Sequence, residues 1–167
     1  NFTVSASGLR TGIITSFGVD NEIGGGDDTA TGEENLSLDA SNLTGTRTVD
    51  VTGGDGADTL QGGAGADSLT GGGGADSLVG NGGADVITGG DGADTITGGD
   101  GADNIQGNGG NDTFISTVAQ FNNDADTIVG GAGTNTLNLT TTAAVTIADV
   151  GFNGRLSEIT NVLLSDD

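Results

Sequence analysis

Seven aspartates recur at a fixed spacing of nine residues, Asp58, Asp67, Asp76, Asp85, Asp94, Asp103 and Asp112. Carboxylates in a regular array offer hard oxygen ligands. The residues that would turn them toward other chemistry are missing. The chain has no Cys and no His, which removes disulfides, thiol nucleophiles, imidazole bases and Cys/His zinc sites. Lys, Tyr and Trp are absent as well. No nucleophile lies beside a base, so catalysis is not expected within this chain. The array points instead to the binding of cations.

The elements that position these aspartates are written in the repeat around them. Residues 53–115 read GGDGADTLQ, GGAGADSLT, GGGGADSLV, GNGGADVIT, GGDGADTIT, GGDGADNIQ and GNGGNDTFI without a gap. The template is G-[GN]-x-G-x-D-x-U-x, with U a large apolar residue. Its eighth position holds Leu60, Leu69, Leu78, Ile87, Ile96, Ile105 and Phe114. A polar–apolar–polar triplet is a minimal strand with one side chain pointing inward. Glycines permit the sharp turn that must follow each triplet, and their frequency excludes a helix. Two repeats then form one 18-residue coil with two short parallel strands. Coils stack about 4.8 Å apart. The fold class expected is all-β, a right-handed parallel β-roll (a β-solenoid). Leu60, Leu78, Ile96 and Phe114 should line one inner wall, and Leu69, Ile87 and Ile105 the other. Asp58, Asp76, Asp94 and Asp112 should stack on one edge, and Asp67, Asp85 and Asp103 on the other.

Composition says that such a roll cannot fold easily alone. Of 167 residues 35 are Gly, only 32% are hydrophobic, and the formal net charge is −21. Glycine loses the most backbone freedom on ordering, and one inward apolar side chain per repeat is a thin core. Stacked carboxylates repel unless a cation lies between them. Arg10, Arg47 and Arg155 are the only cationic side chains, so binding to nucleic-acid phosphates is excluded. No apolar run reaches the length of a transmembrane helix, and no signal peptide is visible. With no Met, the sequence reads as a processed chain or a fragment.

Calcium suits the array best. It accepts six to eight oxygens, from carboxylates and carbonyls, in flexible geometry. Magnesium demands tighter octahedral geometry, and transition metals favour His or Cys. The seven copies of G-[GN]-x-G-x-D-x-U-x resemble the RTX, or haemolysin-type, calcium-binding nonapeptide repeat. That resemblance implies an ion between repeats i and i+2, held by both aspartates and by backbone carbonyls near Gly53, Gly62, Gly71, Gly80, Gly89 and Gly98. It implies five ions, at Asp58/Asp76, Asp67/Asp85, Asp76/Asp94, Asp85/Asp103 and Asp94/Asp112. Asp55, Asp91 and Asp100, at the third position, read as solvated turn residues.

The flanks divide the chain into 1–52, 53–115 and 116–167. In the first, Asn35–Thr52 alternates apolar and polar residues around a turn at Thr44-Gly45, reading as strands that cap the stack. Acidic residues at 20–34, Asp27 and Asp28 among them, either build another calcium site or form a solvated loop. In the last, the register breaks after Ile115 and resumes in degenerate repeats. There Asp126 is a further candidate metal ligand whose partner the insertion obscures, and Asn135 replaces Asp while still offering a neutral oxygen ligand. Thr140–Asp167 alternates again, with Phe152 and Leu163 expected in the cap core.

The resemblance implies a secreted bacterial protein exported by type I secretion, unfolded where calcium is scarce and folded outside. The flanks favour a structural module of a surface-layer or adhesin type. The other reading is the carrier module of a secreted enzyme whose catalytic part lies elsewhere. Expected partners are calcium and, through calcium, copies of the same chain in a lattice or acidic cell-surface polysaccharide. Outward positions seven and nine, read in chain order, are too irregular for ice binding.

Overall fold

A computed structural model describes residues 2–5, 35–141 and 155–166. It is a parallel β-roll of two facing sheets. The first sheet holds β1 (Phe2–Ser5), β2 (Leu36–Asp39), β4 (Thr59–Gln61), β6 (Ser77–Gly82), β8 (Thr95–Asp100), β10 (Thr113–Thr117), β12 (Thr136–Thr141) and β14 (Asn161–Asp166), in that order. The second holds β3 (Asp50–Gly54), β5 (Ser68–Gly73), β7 (Val86–Asp91), β9 (Asn104–Gly109), β11 (Thr127–Ala132) and β13 (Leu156–Ser157). From β2 onward successive strands alternate between sheets, so each coil there contributes one strand to each.

The inward residues stack in register. Leu38, Leu60, Leu78, Ile96, Phe114, Leu137 and Val162 are paired down one wall. Val51, Leu69, Ile87, Ile105, Ile128 and Leu156 are paired down the other. From Leu38 to Leu137 and from Val51 to Ile128 all are buried. Each such side chain contributes roughly 1.5–3 kcal/mol by leaving water.

The strands are longer than the expected triplets. Most run six residues, into the glycine-rich turn of the next repeat. The second residue of the template makes this possible. Gly72 has φ +117°, and a Cβ there would collide with the carbonyl of Gly54 in the coil before. Asn81 and Asn108 fill the same position with φ of 74° and 73°, the left-handed conformation that Asn tolerates best among non-glycine residues.

Both flanks join this stack where they are described. β2 and β3 lie in different sheets and extend each wall by one rung, and the chain between them bends at Gly45 with φ +77°. After β10 the extra residues form α1 (Val118–Asn123). A reciprocal capping box starts it, the Thr117 hydroxyl accepting from the Gln120 N–H and the Gln120 side chain accepting from the Thr117 N–H. Phe121 from this helix is fully buried in the core.

The C-terminal end corrects one expectation. Leu163 is 53% exposed. It pairs with Asn138, on the outer face, while Val162 and Leu164 pair with Leu137 and Leu139 on the inner one. A period of two places neighbours on opposite faces, so Val162 takes the core position. Phe152, the stretch 142–154, and the acidic segment with Asp27 and Asp28 lie outside the described residues.

Candidate metal centre

The aspartates are not at a solvated edge. Asp58, Asp67, Asp76, Asp85, Asp94, Asp103, Asp112 and Asp126 are all at most 3% exposed. The seven repeat aspartates each follow a glycine-rich turn, Asp126 follows α1, and each of the eight precedes a strand with a buried residue.

One oxygen of each carboxylate has a fixed partner. Oδ1 of Asp76 accepts the backbone N–H of Asp58 at 2.8 Å, and Oδ1 of Asp94 accepts that of Asp76 at 2.9 Å. Asp112 continues this column by accepting from Asp94 at 3.1 Å. In the second column Asp85 accepts from Asp67 at 2.7 Å and Asp103 from Asp85 at 2.9 Å. The lowest members are anchored to the flank, Asp58 by the N–H of Leu36 and Asp67 by the N–H of Val49. The Asp126 partner that the sequence left open is Asp103, whose N–H it accepts at 3.0 Å. Asn135 does the same for Asp112 through Oδ1, also at 3.0 Å.

The other oxygen is the chemically significant one. Oδ2 of Asp58, Asp76, Asp85, Asp94, Asp103 and Asp112 is buried with no hydrogen-bond partner. Asp67 differs, because its Oδ2 accepts the N–H of Gly63 at 2.7 Å. A buried carboxylate oxygen without a partner is costly unless its group takes up a proton or a cation. Burial accordingly pushes Asp76 and Asp85 up to about 7, with stacked carboxylates above and below adding to the shift and a backbone N–H opposing it. Asp58 and Asp126 rise to about 6 for the same first reason. Asp67, Asp94, Asp103 and Asp112 are raised too, again mainly by burial.

Facing the Oδ2 of six of these aspartates is a second acceptor. The first glycine of each repeat makes room for both. A Cβ added to Gly53, Gly62, Gly71 or Gly89 would collide with the Oδ2 of Asp58, Asp67, Asp76 or Asp94, and would stand 2.6–2.8 Å from the carbonyl oxygen of Gly71, Gly80, Gly89 or Gly107 in the next coil. Gly80 brings Asp85 and the Gly98 carbonyl together in the same way, and Gly107 brings Asp112 and the Gly130 carbonyl. At Gly98 the Oδ2 of Asp103 is again adjacent, with the Ile105 side chain as the other near neighbour. Except at Asp67, whose Oδ2 already accepts an N–H, these are two oxygen acceptors converging without a donor, an arrangement that fits a hard cation. Among the described residues no three acidic side chains converge on one point. A cation here would draw on one or two carboxylates and complete its shell with turn carbonyls. Calcium accepts that donor set, whereas a metal needing thiolate or imidazole does not.

Asp55, Asp91 and Asp100 are exposed at the turn tips. The Asp100 carboxylate accepts the side-chain amide of Gln120 at 3.0 Å, which ties α1 to the turn. The third-position aspartates thus stand apart from the buried columns.

The fold and these columns define a parallel β-roll whose turns converge oxygen ligands. The chain also matches the family model of the RTX calcium-binding nonapeptide repeat over residues 52–87, 79–114 and 122–139. It therefore carries RTX repeats and is a calcium-binding module over that region. No curated protein and no solved structure matches the chain.

Proposed function

We propose that the chain is a calcium-binding structural module of an extracellular bacterial surface protein, of surface-layer or adhesin type, which folds when calcium enters its turns. The observation that carries the reading is the set of buried Oδ2 atoms facing glycine carbonyls of the next coil. Without a cation these oxygens oppose folding. With one, binding free energy becomes folding free energy. The ligands are Asp58, Asp67, Asp76, Asp85, Asp94, Asp103 and Asp112, with carbonyls near Gly53, Gly62, Gly71, Gly80, Gly89 and Gly98. Five ions sit at the pairs Asp58/Asp76 to Asp94/Asp112, and Asp112 with the Gly130 carbonyl offers a sixth position. Asp126 closes the second column.

Each interior aspartate touches two coils, so calcium uptake propagates along the stack. Extracellular calcium-binding modules work at about 10⁻⁴–10⁻³ M, which keeps such a chain unfolded where calcium is scarce and suits it to export in that state. The structural reading rests on the described flanks, whose strands extend both sheets in register with the roll. Cell-surface assembly would be mediated by calcium, either between copies or to an acidic polysaccharide. Size exclusion across a calcium titration tests it: growth into larger species at millimolar calcium is expected, and a persistent monomer favours the secreted-enzyme carrier instead.

A further inference from the structure

Asn135 stands at the aspartate position of its repeat, fully buried like its counterparts. Its Oδ1 makes the same bond as theirs, to the N–H of Asp112. Its other atom does not behave as theirs do. Nδ2 donates to the carbonyl of Gly131 at 3.0 Å and to the carbonyl of Glu158, in the next coil, at 3.2 Å. Around Gly130 the amide nitrogen of Asn135 takes the place that Oδ2 holds beside Gly71 or Gly89, and the Glu158 carbonyl takes the place of the next glycine carbonyl. Where the interior rungs bring two acceptors together, this rung brings a donor to an acceptor.

The backbone of the closing coil is fixed to the same residue. The carbonyl of Asn135 accepts from the N–H groups of Thr160 and Asn161, at 2.9 and 3.0 Å. The Glu158 carboxylate accepts the N–H of Gly131 at 3.1 Å. The second column also ends against a positive group. Arg155 lies 4.3 Å over the ring of the buried Phe121, and its charge favours the ionised form of Asp126.

We infer that Asn135 is a metal-free stop, its side-chain N–H making directly the link to the next coil's carbonyl that a calcium ion would make at the interior rungs, and ending the first column of sites at Asp112. The inference rests on the calcium reading proposed above and specifies where the ion ladder terminates. It explains why an aspartate would be the wrong residue there. With Asp the last rung would need an ion to hold the closing coil, and that coil would come loose first as calcium falls.

The test is a count of bound calcium by native mass spectrometry, at saturating calcium, on the whole chain and its Asn135→Asp variant, with circular dichroism on both. One additional ion in the variant is expected. An equal, non-zero count in the two proteins would overturn the stop and leave the calcium reading intact. No bound calcium in the unaltered chain would remove both. A second pair guards against a variant that fails to fold. Asp112→Asn should lose calcium yet keep more β signal than Asp112→Ala, because the new amide can donate to the Gly130 carbonyl. Equal loss of β signal in the two would show that an amide cannot stand in for the ion in this cradle, and would overturn the inference.

Discussion

In the central repeats consecutive aspartates of a column are eighteen residues apart, whereas Asp103 and Asp126, like Asp112 and Asn135, are separated by 23. The bond from the lower backbone N–H to the upper Oδ1 survives in both regions at similar length. The inward residues also stay in register, Ile105 over Ile128 and Phe114 over Leu137. Register is thus held by two things, an apolar residue two positions after the Asp or Asn, and the backbone N–H bond that the Asp or Asn accepts. Spacing in the chain is secondary, and five additional residues are absorbed as a helical turn that contributes Phe121 to the core. The two regions part at the second side-chain atom. In the centre it is an oxygen that needs a cation, and at Asn135 it is a nitrogen that is already satisfied.

The largest break in this comparison should come from the cradle glycines. Gly71→Ala places a Cβ against Asp76 and the Gly89 carbonyl, at an interior rung. Calcium-induced β structure should be abolished across several coils. Gly130→Ala, crowding Glu158 and Asn135 at the closing rung, should loosen the C-terminal coil alone. Hydrogen exchange on the two variants in calcium separates these outcomes, and equal, local effects would remove the distinction.

Phe121→Ala should cost about 3–5 kcal/mol, as large-to-small changes in cores do. The loss should appear in thermal melts of the calcium-loaded protein, with strands β10 and β12 exchanging first. A melting temperature unaltered by this change would mean that the helix is ornamental.

Asp76→Ala removes a ligand and leaves the buried N–H of Asp58 without its acceptor. Asp58→Ala removes a ligand of one site rather than two and frees the N–H of Leu36 at the end of the column. The calcium midpoint should rise on the order of tenfold for Asp76→Ala, about 1.4 kcal/mol, and less for Asp58→Ala. Identical midpoints would contradict shared ligation in the interior.

The smallest effect is that of pH. In the metal-free roll Asp76 and Asp85 are raised to about 7 from an unfolded value of 3.8. A raised carboxyl favours folding at low pH. Its contribution is complete below 3.8 and is lost as pH rises through about 7. In chelator the chain should therefore show more β structure at pH 5 than at pH 8. With calcium present protons compete with the ion, and the midpoint should climb as pH falls below about 7. Asn135 does not titrate, so its rung should be indifferent.

Much of this was legible in the sequence because the repeat writes each structural role at a fixed position. The eighth position announced both inner walls, and the sixth announced both columns. The depth of the aspartates was not legible. An acidic residue beside glycines reads as a surface group, and only the path of the turn shows that it folds beneath. Nor could the spacing reveal the partners of Asp126 and Asn135, since the insertion hides the register that the backbone bonds restore. Leu163 was misplaced because two apolar neighbours, Val162 and Leu163, compete for one inward position. The role of the Asn135 amide had one signal, a residue with two donors at the position of a residue with none.

Whether calcium supplies the folding energy of the roll is read out by a far-UV circular dichroism titration, with magnesium as the control. A cooperative transition from coil to β is expected with calcium and none with magnesium. Full β structure in chelator would contradict it, because the thin core and the buried carboxylates would then have folded unaided.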